Sequence, residues 1–254
     1  MTAKPDHYYR INRVSMSSQR KYYVKLSVVV YAIWLAAYEI VGHYVKTLPT
    51  IDLTGFIDRQ IPLIPEFVWA YAFCYIYPFV PLFVTVDWHR YNRGLIAMAI
   101  ANITAFVVYI LYPVAMPRVP LGDSISEKLL GFIYWLDFKP AVTELPSLHV
   151  FFAWLVYLMS RKQRLNQFGD AVLFSIAAAI TVSTLFVKQH FVLDVVAGLI
   201  WATGSWLLAG LLYSRLADPA LEPAVALRQV MARLSPSTLF SGLMLAIRRR
   251  SRSN

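Results

Sequence analysis

The sequence has little charge and only one cysteine. Charged residues make up 15% of the 254 residues, whereas roughly 25% is usual in soluble proteins. Cys74 has no partner for an intrachain disulfide, so cysteine usage gives no information about the redox compartment. The basic first residues lack an early apolar core, so we expect no cleavable signal peptide and expect the first helix to act as a signal anchor. The scarcity of charge excludes an ordinary soluble domain.

Hydrophobic residues form 58% of the chain and fall mostly into blocks of about 20 residues, the length at which a helix crosses a bilayer core. The sequence predicts an all-α integral membrane protein, a six-transmembrane-helix bundle. The six predicted crossings are residues 24–45, 66–86, 95–115, 147–160, 168–187 and 191–213. We expect a kink in the second crossing, which contains Pro78 and Pro81.

The predicted crossings divide the chain into a basic cytoplasmic leader, 1–23, a membrane domain, 24–213, and a basic tail, 214–254. In the tail, Leu239 to Ile247 precedes a run of arginines and is too short to cross a bilayer. Two interpretations stay open for this segment, an interfacial helix on anionic lipid and a disordered basic end.

The net charge of +10 is distributed asymmetrically across the predicted membrane. With six crossings, 18 of the 24 lysines and arginines fall on one side and the other 6 on the opposite side. The positive-inside rule then places both termini in the cytoplasm, against anionic lipid. This spread over many helix ends argues against nucleic acid as a partner. The expected location is a bacterial plasma membrane, and the oligomeric state is not predicted.

Two histidine motifs stand at the ends of apolar segments. One is Pro146-Ser147-Leu148-His149, and the other is Lys188-Gln189-His190 with Asp194 four residues later. Ionisable side chains at membrane depth indicate function, because each must be paired or hydrated to stay there. The charge asymmetry predicts that both motifs face away from the cytoplasm. Glu39 and His43, one helical turn apart in the first crossing, are more simply interpreted as a paired contact within the bundle.

The residue types in these motifs suit transfer of a phosphoryl group without a metal or another cofactor. His190 and Asp194 share a helix face, and a carboxylate on one ring nitrogen raises the basicity of the other. His190 would be the nucleophile and His149 the general acid. The expected phosphate-binding residues are Arg118, which follows a proline-rich helix exit, Lys188 and Ser147. The expected substrate is a lipid phosphate, and the membrane domain is expected to be catalytic.

These motifs resemble those of the type 2 phosphatidic acid phosphatase superfamily. The resemblance covers roughly residues 58 to 200 and implies six helices, His190 as nucleophile, Asp194 as the residue that orients it and His149 as the acid. Leu111 stands where the family's first motif has a lysine, and Thr184 where its third motif has an arginine. The Leu in the first histidine motif and the Lys-Gln-His run are similar to the branch containing inositol phosphorylceramide synthases and bacterial relatives.

Three functions are therefore weighed. The first is a membrane-embedded lipid phosphate phosphatase that forms a phosphohistidine. The second is transfer of a phospho-headgroup, such as inositol phosphate, onto a lipid alcohol, as the branch resemblance implies. The third belongs to another class, a non-catalytic bundle that binds or transports lipid phosphate; the presence of His149, His190 and Asp194 argues against it.

Overall fold

The computed structural model describes residues 6–238, with side chains from residue 17 onward. The described residues form helices and turns, with two isolated β-bridges and no strands. The apolar segment that begins at Leu239 lies outside them. The helices are α1 Asp6–Val45, α2 Phe56–Gln60, α3 Val68–Ala72, α4 Val80–Val84, α5 Trp88–Leu111, α6 Ile125–Leu136, α7 Leu148–Ser160, α8 Gln167–Phe186, α9 Val192–Leu216 and α10 Pro223–Arg233.

Five helical segments of the described chain are long and apolar enough to cross a membrane. They are Ser17–Val45, Pro65–Val84, Trp88–Leu111, Gln167–Phe186 and Val192–Leu216. The prediction of an all-helical membrane protein is therefore confirmed, with five candidate spans. The predicted fourth crossing corresponds to α7, which has 13 residues and is shorter than the other five.

Two segments differ from the simple helices predicted. Helix α1 has 40 residues and includes most of the predicted leader, because no proline or glycine interrupts the chain between Asp6 and Gly42. The second crossing is broken into α3, two 3₁₀ turns and α4, and the second turn begins at Tyr77, just before Pro78. This break is the kink expected there, since proline removes a helical hydrogen-bond donor.

Helix α7 lies at the centre of the bundle and packs against α5, α8 and α9. Ser147 caps its first turn by accepting a hydrogen bond from the amide of Val150, at 3.3 Å. At its other end, the Arg90 guanidinium of α5 donates to the carbonyls of Leu158 and Met159. Unpaired carbonyls at a helix end need such partners, so both ends of α7 are held in place.

Helix α1 packs on the outside of this bundle, mainly along α5. The Glu39–His43 pair predicted within it is present at 3.6 Å, but both side chains are more than half exposed. The pair therefore lies on the surface of the bundle and is not the interior contact expected. Its place follows from the register of α1, whose opposite face turns Trp34 and Tyr38 toward Phe152 and Phe138.

The long loop between α5 and α7 contains α6. Ser124 and Glu127 cap its first turn through reciprocal hydrogen bonds with each other's backbone amides. Its outer face exposes Ile125, Phe132 and Trp135, whereas Leu130 is buried. An apolar face of this kind is typical of a helix that lies along a membrane surface.

Candidate active site

The two histidine motifs meet where α7 and α9 begin. His149 is in the first turn of α7, and His190 lies in the short connection between α8 and α9. The amide of Ser147 donates to the carbonyl of Asp194 at 3.1 Å, which joins the two helix starts. Gly198 allows this approach, because a Cβ at that position would lie 2.7 Å from the carbonyl oxygen of Ser147.

The rings of His149 and His190 are in direct contact. Nδ1 of His149 lies 3.0 Å from Nε2 of His190. On its other side, Nε2 of His149 lies 2.8 Å from the hydroxyl of Tyr71, which comes from the broken second segment. If Tyr71 donates to His149, then Nδ1 of His149 carries a proton directed at His190, and Nε2 of His190 accepts it. This assignment leaves Nδ1 of His190 as a donor.

Nδ1 of His190 faces two buried carboxylates. Asp194 Oδ2 lies at 3.3 Å, as the helical spacing predicts, and Glu144 Oε2 lies closer, at 3.1 Å. Oδ2 of Asp194 also accepts from the amide of Phe191 at 3.0 Å, while its Oδ1 is buried without a partner among the described residues. The carboxylate pair fixes which nitrogen of His190 points toward a substrate.

Glu144 is a site residue that sequence reasoning missed. Burial raises the pKa of the Glu144 carboxyl to about 7, although His190 nearby acts in the opposite direction. Burial by itself would lower the pKa of His190, but the charge of Glu144 and the hydrogen bond to Asp194 outweigh it and raise that pKa to about 9. The preceding residue, Thr143, has a φ of 69°, a conformation that non-glycine residues adopt rarely. This backbone turn sends the Glu144 side chain inward.

Arg118 is anchored beside the histidines. Its guanidinium is paired with Asp137, donates to Oε1 of Gln189 at 3.0 Å, and lies 4.3 Å from the centre of the Tyr134 ring. Burial raises the pKa of Asp137, and the Arg118 charge acts against that rise. Nε of Arg118 and Nε2 of Gln189 are buried donors without a partner in the described part of the chain. Gln189 was not assigned a role from the sequence, although it is adjacent to His190.

Lys188 and Ser147 have structural contacts in this arrangement. The Lys188 ammonium donates to the carbonyls of Asp58, at 3.0 Å, and Ile61. Burial lowers the pKa of Lys188, an effect that Asp58 partly opposes. Lys188 has a φ of 54°, so the backbone turns sharply just before His190. Ser147 is fully buried as the cap of α7. A direct phosphate contact from either residue stays a prediction.

The two positions that depart from the family pattern serve other purposes here. Leu111, at the end of α5, is 77% exposed on the outside of the bundle. Thr184 is buried, and its hydroxyl donates to the carbonyl of Thr181 at 2.7 Å. The carbonyl of Thr184 accepts from the amides of both Gln189 and His190. Neither position supplies a cation to the site.

Within residues 17–238, one group of side chains has the spacing of a metal site. It consists of Glu144, His190 and Asp194, whose potential ligand atoms all lie within 4.8 Å of one another. The ring nitrogen involved is Nδ1 of His190, the same atom that faces both carboxylates as a hydrogen-bond donor. The contacts between one N–H and two carboxylates account for the closeness of these atoms.

The chain is similar to known proteins over the region that contains these residues. An uncharacterized protein of Methanocaldococcus jannaschii is 25% identical over 120 residues, which are 47% of this chain and 48% of that protein. The matched region thus spans about half of that relative. The family model of the PAP2 superfamily matches residues 50–208, a range that includes every residue of the site described above. The chain therefore belongs to the PAP2 superfamily.

Proposed function

We propose that this protein is a membrane-embedded lipid phosphate phosphatase that works through a phosphohistidine on His190. Membership of the PAP2 superfamily indicates a phosphatase-type or phosphotransferase enzyme. The observation that carries the proposal is the arrangement around His190, with His149 3.0 Å from Nε2 and two carboxylates within 3.3 Å of Nδ1. A nucleophilic imidazole needs one unprotonated nitrogen and one nitrogen that donates to an acceptor. The carboxylates at Nδ1 supply the acceptor and leave Nε2, which faces His149, as the nitrogen that attacks.

In the first step, Nε2 of His190 attacks phosphorus and the bond from phosphorus to the lipid oxygen breaks. The electron pair leaves with that oxygen, which takes a proton from His149 in its doubly protonated, imidazolium form. The ring of His190 becomes positively charged when phosphorylated, and the carboxylates of Asp194 and Glu144 offset that charge. The phosphate displaces His149 from its direct contact with His190, since the present separation leaves no room for a group between the rings.

In the second step, water gives a proton to His149 and its oxygen attacks phosphorus. The phosphorus–nitrogen bond breaks, inorganic phosphate leaves and both histidines return to their starting protonation states. No metal is needed for either step. Arg118 and the free amide donor of Gln189 would bind the phosphate oxygens during both transfers, helped by the first turn of α7 with Ser147. In the proposed site Lys188 supports phosphate binding by positioning the connection that carries His190.

We place the site on the outer side of a six-crossing bundle, with α7 as the fourth crossing and both termini in the cytoplasm. The charge asymmetry supports this orientation, because the basic side contains 18 of the 24 lysines and arginines. The connection between α7 and α8, which includes Arg161, Lys162 and Arg164, then faces the cytoplasm. In this orientation the opposite ends of these helices, with the histidines, face the outer surface.

Transfer of a phospho-headgroup to a lipid alcohol is the second candidate function. Leu148 in the first histidine motif and the Lys188-Gln189-His190 run favour it, because both are similar to the branch of the family in which the acceptor can be an alcohol. In this variant a lipid alcohol replaces water in the second step, and His149 takes its proton in the same way. Both reactions pass through a phosphohistidine. In headgroup transfer the donor is a lipid phosphodiester, so the group held on His190 still carries the head group when the lipid alcohol attacks.

The test uses purified protein and radiolabelled lipid phosphates, with and without an added alcohol such as inositol or ceramide. We expect phosphate release without an added alcohol, no loss of activity with chelators, and inhibition by vanadate, which mimics five-coordinate phosphorus. If product forms only when the alcohol is present, the protein is a transferase and the phosphatase proposal is wrong.

The variant His190→Ala tests whether His190 is the nucleophile. We expect it to lose turnover by several orders of magnitude, since the covalent step has no other nucleophile in the site. Acid-labile, base-stable labelling of the wild-type protein should be absent from this variant. Turnover that persists in His190→Ala would exclude the phosphohistidine, and absence of turnover in the wild type on every lipid phosphate would favour the non-catalytic bundle.

A further inference from the structure

A cavity of about 380 Å³ extends from the histidines into the bundle. Its outer end is lined by Glu144, His149 and His190, and its inner end by Ser27, Tyr91 and Met159. Between these ends the lining is mainly apolar and aromatic, from α1, the second segment, α5 and α7. The cavity is therefore one space, polar at the catalytic end and apolar along most of its length.

The length of the cavity matches one leaflet of a bilayer. His149 and Met159 lie in the first and last turns of α7, so at 1.5 Å per residue the cavity follows about 15 Å of that helix. The hydrocarbon core of a bilayer is about 30 Å thick, so one lipid tail occupies about half of it. A lipid whose head is at His190 would thus have a tail of about the length of the cavity.

The inner end is closed by close contact between α5 and α7. A Cβ on Gly94 would lie 2.3 Å from Sδ and 2.4 Å from Cε of Met159, so the two residues fill the space between the helices. Behind them the hydroxyls of Ser27 and Tyr91 bond to each other at 2.6 Å. These paired hydroxyls present little to a hydrocarbon tail and limit how far it could extend.

One wall of the cavity opens toward the membrane. Leu35 of α1, Tyr75 of the second segment and Leu136 of α6 line the cavity and are each more than two-fifths exposed on the outside of the bundle. A tail could pass sideways between these residues without leaving an apolar environment. Helix α1, which forms part of this wall, contacts mainly α5.

We propose that this cavity holds the hydrocarbon tail of the lipid whose phosphate reaches His190, and that Gly94 and Met159 set the longest tail it accepts. The inference rests on the proposed function, because it assigns the tail of that same substrate. Continuity with the catalytic end, apolar lining, leaflet length and the lateral opening support this occupant over water or a free phosphate. The enzyme would then select among lipid phosphates by tail length as well as by head group.

The physical expectation is a cutoff in chain length. A tail that moves from detergent or bilayer into the cavity exchanges one apolar environment for another, so tails that fit should react at similar rates. A tail longer than the cavity must bend or push Met159 aside, and overpacking of that kind is costly. The value of kcat/KM should therefore stay level along a series of single-chain lipid phosphates and fall beyond a certain length.

The experiment measures kcat/KM for such a series in one detergent, with three variants. Gly94→Leu fills the inner end and should move the cutoff to shorter chains, lowering kcat/KM for the longest tail that the wild type accepts by roughly tenfold. Met159→Ala should move the cutoff to longer chains. Gly204→Leu is the control, because a Cβ at Gly204 of α9 has no neighbour within 4 Å and does not line the cavity.

The outcomes separate this inference from the proposed function. If the wild type releases phosphate but Gly94→Leu and Met159→Ala keep its chain-length profile, the cavity holds a bilayer lipid or detergent and the assignment is overturned. Opposite shifts in the two variants, with Gly204→Leu unchanged, establish it. If Gly94→Leu does not fold, the shift in Met159→Ala decides the question. Failure of the wild type on every chain length would instead overturn the phosphatase.

Discussion

At the scale of single residues, the site consists of one histidine between another histidine and a pair of carboxylates. His190 contacts His149 through one nitrogen and both Asp194 and Glu144 through the other. Asp194 could be predicted because it lies one helical turn after His190. Glu144 could not, because its position depends on the turn at Thr143, which brings a loop residue back to the start of α9. Sequence spacing does not show contacts of that kind.

Glu144→Gln should change the pH dependence of the reaction. Burial lowers the pKa of His190, but the charge of Glu144 together with Asp194 outweighs it and raises that pKa to about 9. Attack needs the unprotonated ring. The rate therefore rises with pH as His190 loses its proton. Without the Glu144 charge the pKa of His190 falls, so this rising limb of kcat/KM should move to lower pH. The maximal kcat/KM should also fall, because the neutral amide of Glu144→Gln is a weaker acceptor for Nδ1 of His190 than the carboxylate.

The measurement is kcat/KM across the neutral and alkaline pH range for the wild type, Glu144→Gln and a control variant. The control is Asp123→Asn, which removes a carboxylate from the exposed part of the same loop. It should leave the rising limb of kcat/KM at the same pH as in the wild type. If kcat/KM of Glu144→Gln rises at the same pH as in the wild type, Glu144 does not act on the pKa of His190.

At the scale of helices, the site depends on how closely α7 and α9 approach. Their contact brings the two histidine motifs, more than 40 residues apart in sequence, to a nitrogen–nitrogen distance of 3.0 Å. The sequence predicted the second, fifth and sixth crossings to within three residues at each end, because each is a long apolar block, whereas the first and third spans begin seven residues before their predicted starts. It did not predict the continuous α1, nor that the second segment would divide into short pieces that bring Tyr71 to His149.

Gly198→Ala tests the role of this approach. The added Cβ would lie 2.7 Å from the Ser147 carbonyl, a backbone atom that cannot rotate away, so α9 must shift from the start of α7. We expect a loss of about 1–3 kcal/mol in unfolding free energy from overpacking. Activity should fall by roughly a hundredfold, since small misplacements of catalytic groups are costly.

Thermal unfolding and kcat on one lipid phosphate provide the measurements for this helix contact. Gly204→Ala, on the same helix but facing open space, should keep both values near those of the wild type. Equal behaviour of the two variants would show that the close contact does not position the site.

At the scale of the whole molecule, the distribution of charge determines the proposed orientation. The membership in the PAP2 superfamily and the apolar helices establish an integral membrane protein. The side on which the site lies follows only from the basic residues, because the helices themselves could be inserted either way. The orientation is therefore predicted from charges counted over the whole sequence, and the local geometry of the site adds nothing to it.

Single-cysteine labelling tests the orientation. In a Cys74→Ala background, Thr50→Cys places a thiol in the exposed loop after α1, and Arg164→Cys places one in the loop after α7. A membrane-impermeant thiol reagent added to intact cells should label the first and not the second. Permeabilised cells serve as the control, where both should react. Labelling of the loop after α7 in intact cells would reverse the orientation.

The short helix α7 has a consequence for the surrounding lipid. Its 13 residues span about 20 Å, less than the thickness of a bilayer core, and Ser147 and Arg90 prevent it from lengthening at either end. No residue of α7 is exposed, because the longer helices α5, α8 and α9 surround it, so lipid meets those helices and does not have to match the length of α7. A short catalytic helix can therefore sit inside a bilayer of ordinary thickness without thinning it.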